Sequence, residues 1–185
     1  MVAAMDKSHR IQFTLQPEDF EAIGSLAAHY SLIEMHVAVG IWHLLKLPAY
    51  EGTLVTGNMS LKQRLDLLIE LTKIRKIASK DVDELKSIET EFSKEDGITA
   101  RRNRYVHAVW AADAPGRGPA FPINFNRRGK LRTGAHASAE IIEAATKDIC
   151  TQAKRFADLM SRIGFPLDAG ISFDPPNADI KRNPD

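Results

Sequence analysis

The sequence predicts an all-α protein: an antiparallel four-helix bundle with a small β-hairpin inserted before the last long helix. Four stretches carry apolar residues three and four positions apart, which is typical of helices that bury one face. Between the third and fourth stretches, residues 111–134 are rich in proline and glycine and contain the alternating run Phe121–Phe125, which indicates a hairpin. The 185 residues, 44% of them hydrophobic, are enough to build one core.

The first helix is expected over Pro17–Leu45. Proline is favoured in a first helical turn, where its missing N–H would have no partner. Glu18 and Asp19 follow, and acidic side chains are favourable at this end of a helix. Pro48 stops the helix, and residues 48–57 are expected to form a loop. The core-facing stripe consists of Ile23, Ala27, Tyr30, Val37, Ile41 and Leu44.

Three further helices follow the same periodic pattern. The second is expected to begin after an N-cap at Asn58 or Ser60. The third is expected to bend or break at Gly97, because glycine weakens a helix interior. The three helices are predicted over residues 60–77, 81–110 and 138–164.

The helical pattern covers the middle of the chain and defines one domain. We assign residues 1–16 to an N-terminal extension and residues 17–163 to the helical domain. Residues 164–185 are expected to be a flexible C-terminal tail, because this segment holds four prolines and few residues that could join a core.

The overall composition argues against a membrane protein and against a disulfide-bonded scaffold. Lys and Arg number 25 and Asp and Glu number 24, so the formal net charge of +1 sets up no strong overall field. Cys150 is the only cysteine, which excludes an intramolecular disulfide and fits a reducing compartment. The first ten residues lack a signal-peptide core, and the most apolar run, residues 35–45, is too short to cross a bilayer. The expected location is the cytoplasm.

One short run near the end of the third predicted helix could carry chemistry. Asn103 and His107 lie one turn apart on the same face, whereas Arg102 lies about 140° from His107 on an ideal helix, so its long side chain must bridge the gap. A guanidinium can hold a phosphate, and an imidazole can transfer a proton near neutral pH. Cleavage of RNA needs a base, an acid and positive charge on the phosphate oxygens, and it does not require a metal ion.

Basic residues are concentrated around this run, although the whole chain is nearly neutral. Residues 101–132 contain a single acidic side chain, Asp113. If the hairpin folds back beside His107, the cations form one surface for a polyanion such as RNA. The alternative is that the hairpin tip is simply a solvated, charged turn. The basic residues are Arg101, Arg102, Arg104, Arg117, Arg127, Arg128, Lys130 and Arg132.

The run Arg102-Asn103-x-x-x-His107 resembles the signature of the HEPN superfamily, in which an arginine and a polar residue precede a histidine late in the third helix of a helical bundle. The remaining pattern is similar too. Ser31-Leu32-x-Glu34 lies in the first helix, Gly57-x-Met59-Ser60 precedes the second, and Trp110 follows the histidine by three positions. The resemblance covers residues 17–163.

The resemblance implies a metal-independent endoribonuclease without a cofactor, or a relative that only binds nucleotides. It also implies a homodimer in which Arg102 and His107 of two protomers face each other across one site. Relatives of this kind occur in toxin and antiphage systems, so an antitoxin protein is a further expected partner. Arg102 and His107 are the expected catalytic residues. The expected binding or positioning residues are Asn103, Glu34, Arg101, Arg104, Trp110, Arg127, Arg128 and Lys130.

Glu34 lies on the core side of the first helix, where an unpaired charge would be costly. We expect it to pair with Arg102 or His107, either as an orienting group or as half of a structural ion pair. His29, His36 and His43 also share one side of this helix. Seven residues span about 10.5 Å of helix, too far for neighbours to share an ion, so no metal site is expected.

Three functions remain open from the sequence alone. The first is an HEPN-like RNA-binding protein and endoribonuclease of a toxin or defence system. The second is a non-catalytic HEPN module that binds a nucleotide or a protein through the same groove. The third is a purely structural, dimerising helical bundle in which Arg102, Glu34 and His107 form an internal network.

Overall fold

The computed structural model describes residues 15–111, 121–125, 131–133 and 137–165, and this part of the chain is mostly helical. The all-α class is therefore confirmed, with one small sheet added. The N-terminal extension up to residue 14 and the tail from residue 166 lie outside the described residues. In chain order the elements are α1 Pro17–Leu45, α2 Ala49–Thr56, α3 Leu61–Ile74, α4 Ser79–Ser93, α5 Ile98–Val106, β1 Val109–Ala111, β2 Phe121–Phe125, β3 Leu131–Thr133 and α6 Ala139–Arg162.

Helix α1 has the boundaries that the sequence predicts. Pro17 occupies its first turn, and the Asp19 carboxylate accepts a hydrogen bond from the backbone N–H of Gln16 at 2.9 Å. The helix ends at Leu45, where Lys46 adopts a left-handed conformation with φ of 58°. Its buried side chains run along one face into the core that α1 shares with α3, α4, α5 and α6.

The prediction of a loop over residues 48–57 is wrong, because this segment contains helix α2. A contact between helices stabilises it: Gly52 presents no side chain, so α2 can approach the indole ring of Trp42 closely. The Trp42 Nε1–H donates to Thr56 Oγ1 at 3.0 Å, and the Thr56 hydroxyl donates to the Gly52 carbonyl at 2.9 Å. An eight-residue helix held by such a contact leaves no periodic apolar stripe in the sequence.

Helix α2 also changes the direction of the next helix. Arg64, near the start of α3, donates to the Glu34 carbonyl at 3.0 Å, and Arg75, just after its end, donates to the Leu44 carbonyl at 2.7 Å. Helices α1 and α3 therefore run parallel, not antiparallel as expected, because α2 returns the chain along α1.

Ser60 forms the capping box of α3 with Gln63, which confirms one of the two predicted caps.

The third predicted helix is two helices, and it ends earlier than expected. Helix α4 stops at Ser93 and α5 begins after Gly97, so the predicted interruption at Gly97 is confirmed. A Cβ at Gly97 would lie 2.8–2.9 Å from the backbone oxygens of Glu91, Phe92 and Lys94, so only glycine fits this junction. Helix α5 stops at Val106, and the following residues leave it to enter a sheet.

The predicted hairpin is part of a three-stranded antiparallel sheet of order β1-β2-β3. The added strand is β1, in which Trp110 pairs with Pro122 of β2, so Trp110 is not the last residue of a helix. Position 123 of β2 also pairs with position 133 of β3.

Helix α6 closes the core against α1. The side chain of Met160 lies against Gly40, and the Phe165 ring packs edge-on against His43 with centroids 3.9 Å apart. Helices α1 and α6 therefore end at the same end of the bundle. Within the described ranges, every helix is too short or too polar to span a membrane.

Candidate functional site

Arg102 and His107 meet at the C-terminal end of α5. Arg102 Nη1 lies 2.7 Å from His107 Nε2, which is hydrogen-bonding distance. On an ideal helix the two side chains would diverge, but His107 is the C-cap of α5 with φ of −103° and ψ of 8°, so its backbone has left helical geometry. The structure thus brings together the two residues that the sequence singled out.

Asn103 completes this contact. Its Oδ1 accepts a second hydrogen bond from Arg102 Nη1 at 2.9 Å. Asn103 and His107 are exposed, whereas Arg102 is half-buried. The three side chains therefore form a small polar surface that a ligand can approach.

Only some of the N–H donors of Arg102 are hydrogen-bonded to described residues of the chain. A guanidinium carries five N–H donors: two on Nη1, two on Nη2 and one on Nε. The contacts with Asn103 and His107 use both donors of Nη1. Nη2 makes no hydrogen bond with any described residue, and Nε is buried without a partner there. Nη2 is the donor group left for an anion.

The same contact fixes the state of the imidazole. Because a guanidinium only donates, Nε2 of His107 accepts from Arg102 and carries no proton in this arrangement. The ring is then neutral and has its hydrogen on Nδ1. A nitrogen in this state can take up a proton from a hydroxyl group.

Tyr30 of α1 lies beneath the guanidinium. Arg102 Cζ is 5.0 Å from the centroid of the Tyr30 ring, the geometry of a cation–π contact. The Tyr30 ring is 4% exposed, and its hydroxyl hydrogen-bonds Thr99 Oγ1 at 2.9 Å. Burial raises the pKa of this hydroxyl above its usual value; the Thr99 bond opposes that effect, and the negative charge of Glu34 adds to it.

Glu34 does not make the contact expected for it. Its carboxylate forms no ion pair or hydrogen bond with Arg102 or His107. The guanidinium lies over the Tyr30 ring and directs Nη1 toward Asn103 and His107. Glu34 is half-buried one turn beyond Tyr30 on α1, and it contributes its backbone carbonyl to Arg64 of α3.

The other two arginines of α5 serve its packing. Arg101 Nη1 forms a 2.7 Å ion pair with Asp148 of α6, and 23% of the Arg101 side chain is exposed. Arg104 forms a 2.6 Å ion pair with Asp96, and this hydrogen bond raises the pKa of the Arg104 guanidinium. Both side chains therefore brace α5 against its neighbours.

Trp110 closes the sequence motif from β1. Its indole N–H donates to the Tyr105 carbonyl at 3.2 Å, and its ring stacks on that of Tyr105 with centroids 6.3 Å apart. It links the sheet to α5. Arg127, Arg128 and Lys130, which form the expected basic rim of the hairpin, lie outside the described residues.

The histidines of α1 lie in three separate environments. His29 Nδ1 contacts the carbonyl of Ser25 at 2.8 Å, His36 is buried, and His43 packs on Phe165. Among the residues that the structure describes, no group of three or more His, Cys, Asp or Glu side chains could hold a metal ion.

Sequence reasoning missed Tyr30 and Thr99 as neighbours of the motif. Tyr30 belongs to the apolar stripe of α1 and was assigned to the core, where its ring indeed lies. Its position one turn from Glu34 in the sequence gave no sign that α5 would pack against the Tyr30 ring.

Comparison with protein-family profiles, with curated proteins and with solved structures gives no match.

Proposed function

We propose that this chain is an HEPN-like RNA-binding protein and a metal-independent endoribonuclease of a toxin or defence system. The observation that carries the proposal is the 2.7 Å contact between Arg102 Nη1 and His107 Nε2 at an exposed helix end. In the bundle that we propose for this fold, α1, α3, α6 and the pair α4 and α5 are the four helical units. A cytoplasmic location fits the single cysteine, Cys150.

The phosphate of an RNA strand would bind first to Nη2 of Arg102, the donor group that the described residues leave unused. A bidentate contact with a phosphate also needs Nη1, so the anion competes with His107 for that donor. Binding of phosphate thereby releases Nε2 of His107 as an acceptor. Before phosphate binds, the guanidinium holds the imidazole in place; afterwards it stabilises the charge on the phosphate.

His107 Nε2 then takes the proton of a ribose 2′-hydroxyl. The 2′-oxygen forms a bond to the adjacent phosphorus, and the bond from phosphorus to the 5′-oxygen of the next nucleotide breaks. The leaving oxygen receives a proton, and Arg102 stabilises the negative charge on the phosphate oxygens during the exchange. The products are a 2′,3′-cyclic phosphate and a 5′-hydroxyl.

A homodimer would supply the proton for the leaving oxygen. Within the described residues, one protomer offers one imidazole at this surface, and the resemblance to HEPN proteins implies that a second copy faces it. The partner's imidazole, released from its own guanidinium and protonated, would act as the acid. An antitoxin protein would then cover the same exposed surface.

A non-catalytic HEPN module that binds a nucleotide or a protein is the second candidate. The observation that favours it is that Arg102 Nη1 and His107 Nε2 already satisfy each other, so the free site is stable without substrate. A purely structural, dimerising bundle is the third candidate, and it predicts that both residues contribute to stability alone.

The test is incubation of the purified protein with mixed RNA in excess chelator, beside Arg102→Ala, His107→Ala and the control Lys86→Ala. Lys86 is an exposed cation on α4 that pairs with Asp83, so it matches the charge loss of Arg102→Ala away from the site. We expect cleavage by the parent and by Lys86→Ala, with a loss of at least about a hundredfold in the two site variants.

The remaining outcomes separate the candidates. Binding without cleavage, lost in Arg102→Ala and retained in Lys86→Ala, selects the non-catalytic module. Absence of both binding and cleavage in the parent, together with a lower melting temperature in both site variants, selects the structural bundle.

A further inference from the structure

The geometry points to Tyr30 as a positioning residue that holds the Arg102 guanidinium in the orientation in which its edge meets a phosphate. The inference rests on the proposed function, because it concerns the phosphate anchor of that site. It adds a residue of α1 to a motif that the sequence confines to α5.

Among the residues that the structure describes, the Arg102 side chain has few rigid contacts apart from this ring. Its two hydrogen-bond partners, Asn103 and His107, are both exposed side chains that can rotate in solvent. An arginine has several freely rotating bonds, and holding it in one conformation costs about 2 kcal/mol of side-chain entropy. Without a fixed support, a phosphate would have to provide that ordering at the moment of binding.

The ring beneath Arg102 is itself held rigidly. The Tyr30 hydroxyl is bonded to Thr99 at 2.9 Å, and the ring packs edge-on against Phe92 with centroids 6.3 Å apart. Thr99 lies on α5, one turn before Arg102, so this bond joins α1 to α5, while packing of the ring in the core holds it in place without the hydroxyl. The ring therefore has a fixed place relative to the helix that carries the guanidinium.

The Tyr30 ring contacts the flat face of the Arg102 guanidinium, which suits an anion site. A cation–π contact uses the flat face of a guanidinium, whereas phosphate oxygens bind the N–H donors at its edge. Stacking on Tyr30 at 5.0 Å therefore orients Arg102 without consuming the donors on Nη2. An acidic side chain in the same place would hold the cation too, but it would occupy those donors.

The first measurement is the affinity of the full-length protein for a labelled single-stranded RNA oligonucleotide in chelator. Tyr30→Leu removes the ring and should weaken binding roughly three- to tenfold. Tyr30→Phe keeps the ring and should stay within about twofold of the parent. In the Arg102→Ala background, Tyr30→Leu should have no further effect, because the two residues act through one contact.

A matched control separates positioning from loss of core packing. Phe156→Leu removes a buried ring of α6, outside the Tyr30–Arg102 contact, so it should lower stability and leave RNA affinity unchanged. The inference is overturned if Tyr30→Phe loses as much affinity as Tyr30→Leu, or if Tyr30→Leu weakens binding equally with and without Arg102.

A second measurement does not depend on RNA. The ring current of Tyr30 should shift the NMR signal of the Arg102 Nε–H group, which is identified by its absence in Arg102→Ala. We expect the shift to persist in Tyr30→Phe and to vanish in Tyr30→Leu. An unchanged signal in Tyr30→Leu refutes the positioning role, whereas a parent that shows the shift and binds no RNA refutes the proposed function and leaves the contact itself established.

Discussion

Gly52 of α2 and Trp42 of α1 fit together so closely that a Cβ on Gly52 would lie 2.3 Å from Trp42 Cγ. The indole fills the space that any other residue would need, and its N–H is bonded to Thr56 Oγ1. This pair attaches α2 to α1, and α2 in turn determines that α3 runs parallel to α1.

Gly52→Ala should therefore lower the free energy of unfolding by about 2–3 kcal/mol, because the rigid indole cannot move aside without losing its hydrogen bond. The measurement is equilibrium unfolding in urea. Gly24→Ala is the matched control, since a Cβ at this exposed position of α1 meets nothing within 4 Å. That control should raise stability by roughly 0.5–1 kcal/mol. Equal effects of the two variants would contradict the role given to the Trp42 contact.

Gly97→Ala should damage both stability and the proposed site. The new methyl group would collide with three backbone oxygens at the junction of α4 and α5, so the junction must open. We expect a loss of about 2–3 kcal/mol in urea unfolding and weaker binding of RNA, because α5 carries Arg102 and His107. Retention of full affinity by a destabilised Gly97→Ala protein would show that the position of α5 does not matter for binding.

Lys46 and Lys76 follow α1 and α3 in left-handed backbone conformations, with φ of 58° and 57°. Side chains other than glycine are strained in this region. Each of Lys46→Gly and Lys76→Gly should therefore raise the free energy of unfolding, by roughly 0.5–1 kcal/mol. Thermal and urea unfolding measure the change, and a decrease in both variants would mean that the lysine side chains contribute more than the backbone strain costs.

His36 should make stability depend on pH in the weakly acidic range. Burial lowers the pKa of its imidazole in the folded protein, so the unfolded chain binds a proton more readily. Stability is then fully present above the unfolded pKa of about 6.5 and is lost as the pH falls below it, by up to about 1.4 kcal/mol per pH unit.

The measurement is urea unfolding between pH 5 and pH 8 for the parent and for His36→Gln. The variant should lose less stability than the parent on acidification, because glutamine does not titrate. Curves that stay parallel across this range would exclude His36 as the source of the pH dependence.

The long helices and the motif could be predicted because their signals are local. The second half of the α1 stripe, the capping residue Ser60 and the break at Gly97 each follow from neighbouring residues. In the first half of α1 the buried residues are Ala22 and Leu26, not the predicted Ile23 and Ala27, which are half-buried. Helix α2 could not be predicted, since its stability depends on Trp42 filling the space beside Gly52. The prediction that α3 runs antiparallel to α1 was wrong for the same reason, because it assumed a loop where α2 lies.

The site was predictable only within α5. The pairing of Arg102 with His107 required the chain to leave helical geometry at His107, which the early end of α5 produces. Tyr30 was assigned to the core because it lies in the apolar stripe of α1. The sequence pattern cannot distinguish a buried ring from a buried ring that also contacts a guanidinium. The partner expected for Glu34 was wrong because the ring, not the carboxylate, lies beneath Arg102.

The parallel course of α1, α3 and α6 has an electrostatic consequence for one end of the molecule. Peptide dipoles of parallel helices add instead of cancelling, so partial negative charge accumulates where the three helices finish. Lys46, Arg75 and Lys76 lie at the ends of two of these helices, α1 and α3. Their positive charges offset that accumulation, so the parallel arrangement carries its own neutralising set of side chains.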